Sequence, residues 1–246
     1  MGKYAVAAFA LIGGVMVFIY FGIGGTSPQR EQFPRLPPPH HARNTSQALK
    51  EINVRAVYFV PKGKVAIPNN QWKENLLERF SLLKKFHAMA FWNRSTLEYA
   101  VYPTPITGLR DHLFYDTNRT DEGNPEGLRS ISEELESRFF SREGDLYDAS
   151  FDKGAGYRVL YIIYEGVGAS GADGVALLSR KFFTEDEYRV ERDSFFAHEF
   201  YHTLGVPDSY RHQSGAPTSN DLMGAGRLRP LTETFLSREA MALFGI

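Results

Sequence analysis

The sequence predicts an α+β domain, with a twisted mixed β-sheet that has an edge strand, long backing helices, a helix that carries two histidines and a C-terminal helix. Three observations support this prediction. Residues 52–60 and 157–164 are almost continuous β-branched and aromatic runs, which are typical of strands inside a sheet. Between them, apolar residues recur at three- and four-residue steps, which predicts amphipathic helices. An uncharged stretch at residues 4–25 predicts one N-terminal transmembrane helix ahead of the domain.

The composition is that of a globular protein. Hydrophobic residues make up 43% of the 246 residues, which is enough to bury a core. The formal net charge is −1 and no basic run is present, so nucleic acid is not an expected partner. The chain contains no cysteine, which excludes disulfides and thiolate metal ligands.

The N-terminus indicates a location. Residues 4–25 reach the roughly 20 apolar residues that are needed to cross a bilayer. A secretory signal has a shorter apolar core and a small-residue cleavage site, for which only Gly22 and Gly24 are candidates. We expect an uncleaved single-pass membrane anchor with an extracytoplasmic domain, and a secreted protein if residues 1–25 are a cleaved signal. Glycosylation sequons at Asn44, Asn93 and Asn118 are compatible with export.

Residues 26–48 form a predicted linker, followed by the globular domain at 49–246. The linker is rich in Pro, Ser, Gln and Arg and shows no periodicity, which is typical of a stiff, solvated segment. His40 and His41 lie in this linker, where no organised partners are expected, so we do not expect them to be metal ligands.

The first half of the domain alternates strands and helices. A strand over residues 52–60 is followed by a long helix from Trp72 to Ala90, and residues 97–101 form a second strand. His87 lies on the packed helix and is expected to be structural. Asn124 and Pro125 have the pattern of an N-cap and first helical position, and they open a second predicted helix with its own apolar stripe.

A glycine-rich stretch at residues 166–171 follows the strand at 157–164. It does not match a phosphate-binding loop, since no Lys-Ser/Thr follows it. We interpret it as a turn into an edge strand at residues 174–179. Further along, Thr184 to Glu187 has capping-box spacing, and Ser237 is a plausible N-cap for the last helix.

Two histidines with helical spacing form the central motif. His198 and His202 are four residues apart, about 40° around a helix axis, so both imidazoles can hold one ion. Glu199 lies about 100° from His198, close enough to reach a water on that ion without being a ligand. The opposite side of the helix carries a predicted core stripe, formed by Phe196, Phe200 and Leu204.

The residues after this helix predict a third ligand. Gly205 can adopt the left-handed conformation that ends a helix, and Pro207 cannot continue one. The chain can therefore turn back and bring Asp208 under the imidazoles. Two histidines and one carboxylate would leave an open metal position, as catalytic zinc sites require.

Three segments resemble the metzincin clan of zinc endopeptidases, particularly branches with an Asp ligand such as the snapalysin-like and immune-inhibitor-A-like enzymes. They are HEFYHTLGVPD at residues 198–208, DLMG at 221–224 and the terminal LSREAMALFG. The order of elements over residues 50–246 fits as well, although only the first two segments are specific. The resemblance implies one zinc ion held by His198, His202 and Asp208, with Glu199 as general base.

The same resemblance implies further roles. Met223 matches the family's methionine turn below the metal, and a peptide or protein substrate is expected to bind along an edge strand, here at Gly174, Ala176 and Leu178. Some family members stabilise the transition state with a Tyr soon after that Met. This chain has Gly-Ala-Gly there instead, which leaves Tyr210 and Tyr201 as candidates.

Two other classes of function remain open. Two histidines and a carboxylate also form the facial triad of non-haem iron enzymes, which would leave Glu199 without a role. Alternatively, the chain is a membrane-tethered, non-catalytic module with a structural metal, for which His212 is a candidate fourth ligand.

Overall fold

The computed structural model describes residues 48–67, 71–116, 123–139, 156–209 and 219–246. In this part of the chain six strands form one sheet. The strands are β1 (Glu51–Val60), β2 (Thr96–Val101), β3 (Ile106–Thr107), β4 (Tyr157–Tyr164), β5 (Ala169–Ala172) and β6 (Val175–Ser179). The α-helices are α1 (Gln71–Ala90), α2 (His112–Tyr115), α3 (Pro125–Phe139), α4 (Lys181–Thr184), α5 (Arg192–Thr203) and α6 (Arg238–Ala242).

The sheet is mixed, as predicted. Its order is β2-β1-β4-β6-β5, with β3 paired to β1 beyond the end of β2. All neighbouring pairs are parallel except β5 with β6, which is antiparallel. The predicted strands at 52–60, 97–101 and 157–164 and the predicted helices from Trp72 and Pro125 are confirmed.

The predicted position of the edge strand is wrong. Gly174, Ala176 and Leu178 belong to β6 or the turn before it, and β6 is paired on both sides, with β4 and with β5. The physical reason is the Asp173-Gly174 turn, where both residues have positive φ, 46° and 83°. Such a turn folds the chain into a tight hairpin. The glycine-rich segment before it therefore becomes β5, the outermost strand.

Alternate residues of β1 supply two cores on opposite faces of the sheet. Val54, Ala56 and Tyr58 pack with α1, α5 and the C-terminal segment, while Val57 and Phe59 pack with α3. The apolar stripe of α3 lies in the second core and consists of Leu128, Ile131, Leu135 and Phe139.

Two expectations about helix ends had different outcomes. Ser237 caps α6 as predicted, because its side chain accepts a hydrogen bond from Ala240 N. The prediction of a capping box at Thr184 to Glu187 is wrong. Thr184 ends α4, a 3-10 helix follows at Asp186–Tyr188, and α5 begins at Arg192 without a side-chain cap.

The predicted membrane span at residues 4–25 and the linker at 26–48, with His40 and His41, lie outside the described residues apart from residue 48. Within the described ranges, no helix is both long and apolar enough to cross a bilayer.

His87 is buried on α1, in the core that α1 shares with α5. Its Nδ1 lies 3.1 Å from the hydroxyl of Tyr201, and its ring packs against Phe91 and Phe244. Burial lowers the pKa of His87 from 6.5 to about 4. The structural role that the sequence predicts for His87 fits this position.

The lowered pKa of His87 predicts that the folded domain loses stability in acid. The unfolded chain binds the proton first as the pH falls through 6.5, so the free energy of unfolding decreases until the folded pKa of about 4 is reached. The decrease attributable to His87 is roughly 3 kcal/mol. His87→Gln cannot titrate and should flatten this limb in urea unfolding followed from pH 7 to 4 with chelator present.

His112→Gln is the matched control, since His112 is partly exposed at the start of α2. An equal flattening in both variants would contradict the assignment to His87.

Candidate metal centre

The helix α5 is fixed to the rest of the domain along its whole length. Near its start, Asp193 forms an ion pair with Arg79 of α1. At its middle, the hydroxyl of Tyr161 donates to the carbonyl of Phe196 over 2.9 Å. At its end, the carbonyl of Thr203 accepts from the hydroxyl of Tyr157 at 2.6 Å. These bonds fix the position of the helix from which the histidine side chains project.

The predicted core stripe of α5 is confirmed. Phe196, Phe200 and Leu204 are all at most 1% exposed. Because these residues face the core, His198 and His202 occupy a different side of the helix. There Cβ of His202 lies near Gly171 of β5, and Nδ1 of His198 faces the carbonyl of Leu222.

Gly171 lets the edge strand approach α5 closely. A Cβ at this position would lie 2.3 Å from the carbonyl oxygen of Glu199 and 2.9 Å from Cβ of His202. Only a residue without a side chain fits at this distance. Sequence reasoning did not identify Gly171, although its place in a glycine-rich stretch was the available signal.

The chain turns back after α5 as predicted. Gly205 has φ +82°, the left-handed conformation, and its N–H donates to the carbonyl of His202 over 3.0 Å. The turn brings the carbonyl of Val206 to 2.8 Å from Nδ1 of His202. It also brings Asp208 back to the helix.

Three side chains converge after this turn, and they are the three that the sequence predicts. Nε2 of His198 and Nε2 of His202 are 3.0 Å apart. Oδ1 of Asp208 lies 3.3 Å from the first and 3.1 Å from the second. This group has the composition and closeness to hold a metal ion.

Two backbone carbonyls determine which ring nitrogens face the centre. Nδ1 of His198 lies 3.0 Å from the carbonyl of Leu222, and Nδ1 of His202 faces that of Val206. A carbonyl only accepts, so each Nδ1 carries the hydrogen, and each neutral ring then presents a lone pair at Nε2. Two lone pairs and a carboxylate therefore point at one position, an arrangement that favours a cation.

The distances fit zinc. Zinc–nitrogen bonds of 2.0–2.1 Å in a tetrahedron place ligand atoms about 3.3–3.4 Å apart. The observed separations of 3.0, 3.1 and 3.3 Å are close to this value. With orienting carbonyls behind both imidazoles, the residues present fit a zinc ion with three protein ligands.

The electrostatics of the group also favour positive charge. Burial alone would raise the pKa of Asp208, but hydrogen bonds and charges from His198 and His202 hold it well below its usual range. Burial lowers the pKa of His202, yet the hydrogen bond to Asp208 and the charges of Glu199 and Asp208 outweigh it, so the pKa is raised.

Glu199 lies beside these ligands. It is 7% exposed, and burial raises the pKa of its carboxyl, against the charges of His198 and His202, which lower it. Arg227, on the 3-10 helix Ala225–Leu228 that packs against α5, also lowers this pKa. Glu199 is therefore a buried carboxylate next to the convergent group without belonging to it.

Met223 lies in the core segment that faces His198. It is 1% exposed, and its carbonyl accepts a hydrogen bond from Ser209 N over 2.8 Å. Asp221 shapes this turn by accepting from Met223 N at 3.2 Å. The segment after Asp208 is thus joined directly to the turn that contains Met223.

The two tyrosine candidates have different outcomes. Tyr201 is fully buried with its hydroxyl at His87, so the proposed role in stabilising a transition state is wrong for this residue. Tyr210 and His212 lie outside the described residues. Sequence reasoning missed the carbonyls of Val206 and Leu222, because backbone groups leave no signal in residue types.

No protein-family model and no curated protein matches this chain. Solved structures do show similarity, among them the following three. OgpA from Akkermansia muciniphila is 15% identical at TM-score 0.48, over 79% of this chain and 59% of that chain. Catalytically inactive OgpA, in complex with an O-glycopeptide substrate, matches at 15% identity and TM-score 0.48, over 80% and 59%. Archaemetzincin from Methanopyrus kandleri is 12% identical at TM-score 0.38, over 78% and 93%.

The present chain thus spans 59% of the OgpA chain. At these identities and TM-scores the similarity assigns neither a family nor an activity to this chain.

The close approach of β5 to α5 at Gly171 predicts that a larger residue there disturbs both stability and zinc binding. Gly171→Ala should push α5 away from β5, because the added methyl meets the carbonyl of Glu199 at 2.3 Å. We expect a destabilisation of about 1–3 kcal/mol, typical of overpacking, and weaker zinc binding because His202 moves. Urea unfolding and zinc competition with a chromogenic chelator measure the two effects.

Ala172→Ser adds an atom at the exposed neighbouring position and serves as the control. If Gly171→Ala kept the stability and zinc affinity of the parent, the packing of β5 against α5 would not require a glycine at this position.

Proposed function

We propose that this chain is a zinc-dependent endopeptidase of metzincin-like type. The observation that carries the proposal is the convergence of Nε2 of His198, Nε2 of His202 and Oδ1 of Asp208 within 3.0–3.3 Å, beside the buried carboxylate of Glu199. Three protein ligands and an adjacent carboxylate are the arrangement of catalytic zinc sites.

His198, His202 and Asp208 would hold the ion. Zinc bound there would supply Lewis acidity, which acidifies water and polarises a carbonyl group. The carbonyls of Val206 and Leu222 keep both imidazoles in the tautomer that presents Nε2. Asp208 contributes a negative charge, so the ligand set neutralises half of the charge of the ion.

Glu199 is the proton carrier in this proposal. Its carboxylate accepts a proton from the attacking water and later delivers that proton to the nitrogen of the leaving amine. Burial supports this role, because it raises the pKa of the carboxyl and so makes it a better base than an exposed Glu.

Met223 is proposed as part of the floor of the site. It is buried in the core cluster that contains Phe196 and Phe200, and the neighbouring Leu222 carbonyl orients His198. A methionine side chain fills an irregular apolar space without offering a competing charge.

The substrate is proposed to be a peptide in extended form. β5 is the outermost strand of the sheet in the described residues, and Gly171 places it against α5 beside His202. An extended segment can add to such an edge through main-chain hydrogen bonds. This moves the expected substrate contact from the residues of β6 to β5.

The role of Glu199 is tested by removing its carboxylate. Glu199→Ala should still bind one zinc per chain, since the ligands are intact, but kcat should fall by several orders of magnitude because the proton carrier is gone. Metal analysis and digestion of an unstructured protein, with and without chelator, measure both properties on the full chain.

Normal turnover in Glu199→Ala would sink the hydrolase proposal. Zinc binding without any cleavage by the parent chain would favour the non-catalytic module, and iron with oxygen-dependent chemistry would favour the facial-triad class.

The third ligand is tested by two alanine variants. Asp208→Ala should weaken zinc binding by about tenfold or more and abolish cleavage, because it removes an anionic ligand. His212→Ala should change neither. Zinc competition titrations compare the variants with the parent, and loss of affinity in His212→Ala with parent affinity in Asp208→Ala would reverse the assignment.

A further inference from the structure

The edge strand β5 has a defined set of outward-pointing backbone groups. Ser179 N donates to the carbonyl of Gly168 over 2.8 Å, and the register continues with Ala169 opposite Leu178 and Gly171 opposite Ala176. In an antiparallel pair, hydrogen-bonded and non-hydrogen-bonded positions alternate. The N–H and C=O groups of Ser170 and Ala172 therefore face β6, and those of Ala169 and Gly171 point outward.

Ala169 is covered at this edge. A Cβ on Gly123 would lie 2.4 Å from the carbonyl oxygen of Ala169, so the backbone of Gly123 packs directly onto it. The next residue, Asn124, donates its N–H to Oγ of Ser170 over 3.1 Å. The segment that opens α3 thus lies on the first half of β5.

Asn124 holds this cover in place. It is fully buried, and its Oδ1 accepts from Gly127 N over 2.9 Å at the start of α3. Its side-chain amide also donates to the carbonyls of Tyr115 and Val167, both at 3.1 Å. A peptide would have to break this network to reach Ala169.

The other end of the strand is limited by the hairpin. The next outward position after Gly171 is Asp173, which has φ 46° and belongs to the tight turn. An extended partner cannot continue along a backbone that has left the strand conformation. Ala169 and Gly171 are the outward-facing residues of β5, and Gly123 covers Ala169. Among the described residues of this strand, Gly171 is therefore the one whose outward backbone groups are not covered by Gly123.

Gly171 also lies next to the proposed metal site. The carbonyl of Glu199 and Cβ of His202 are its nearest neighbours across the strand–helix contact. A residue paired with Gly171 would therefore lie beside the part of α5 that carries His202.

We propose that an extended peptide substrate pairs with β5 through a single residue, whose N–H and C=O bond to the C=O and N–H of Gly171. Gly123 and Asn124 direct the rest of the substrate away from the strand on the Ala169 side. The inference rests on the proposed peptidase function. It narrows that function, because the edge strand then holds the substrate at only one of its residues, which flanks the cleaved bond.

The test is an N-methyl scan of a linear, unstructured peptide that the zinc-loaded full chain cleaves at one bond. Removing the N–H of the paired residue should lower kcat/KM roughly tenfold or more. N-methylation two residues to either side should change it by less than about twofold, since those positions have no partner on β5. An ester in place of the same amide removes the N–H without added bulk and should reproduce the loss.

A strand that is open along its length would give a different pattern, with sensitive positions two residues apart. That pattern, or no sensitive position at all, overturns the single-residue proposal while leaving peptidase activity intact. Absence of zinc-dependent cleavage of any unstructured peptide overturns the proposed function and this inference together.

Amide hydrogen exchange in Glu199→Gln provides a readout that does not depend on turnover. Adding the parent peptide should slow exchange of the Gly171 amide by at least about tenfold and leave that of Ala169 unchanged. Protection of both amides by the peptide would contradict the proposal, as would a Gly171 amide that is equally protected before the peptide is added.

Discussion

Two backbone carbonyls, those of Val206 and Leu222, determine the chemistry of the candidate site. Each accepts from Nδ1 of a histidine, so each imidazole presents Nε2 toward Asp208. A carbonyl turned away would free the ring to present its other nitrogen, and the three acceptors would no longer share one position. The turn at Gly205 and the segment around Leu222 therefore matter as much as the motif on the helix.

The carbonyl of Leu222 is positioned by the C-terminal part of the chain. Leu222 N donates to the carbonyl of Phe235 over 2.8 Å, and Ser194 Oγ of α5 donates to the carbonyl of Arg229 over 2.5 Å. These bonds join the C-terminal segment to the helix that carries the histidines. The ligand geometry is thus a property of the folded domain, built from segments that are distant in sequence.

The sheet contributes a second constraint through its edge. Because Gly171 allows contact between β5 and α5, the outermost strand and the proposed ligand His202 are direct neighbours. The same strand is covered at Ala169 by Gly123, which belongs to the segment leading into α3. One face of the sheet thus supports the metal ligands, while an element from the other face limits access to the edge.

Local patterns of residues are enough to predict the elements with strong periodicity and the side chains that converge. The runs at 52–60 and 157–164 and the stripe of α3 each bury apolar residues at the expected period, a pattern that is local. The spacing of His198 and His202 fixes their common helix face, and Gly205 marks the turn toward Asp208. These features depend on residues that are close in the chain.

The strand order, the carbonyl partners of the histidines and the cover on β5 follow from packing between segments that are distant in the chain. The hydrophobic pattern does not reveal which strand a hairpin leaves outermost, so it predicts β6 at the edge where the structure has β5. Residue type alone makes Tyr201 a candidate for the site, whereas in the structure its hydroxyl lies at His87 in the core. Contacts between distant segments arise from packing, and residue types along the chain do not encode them individually.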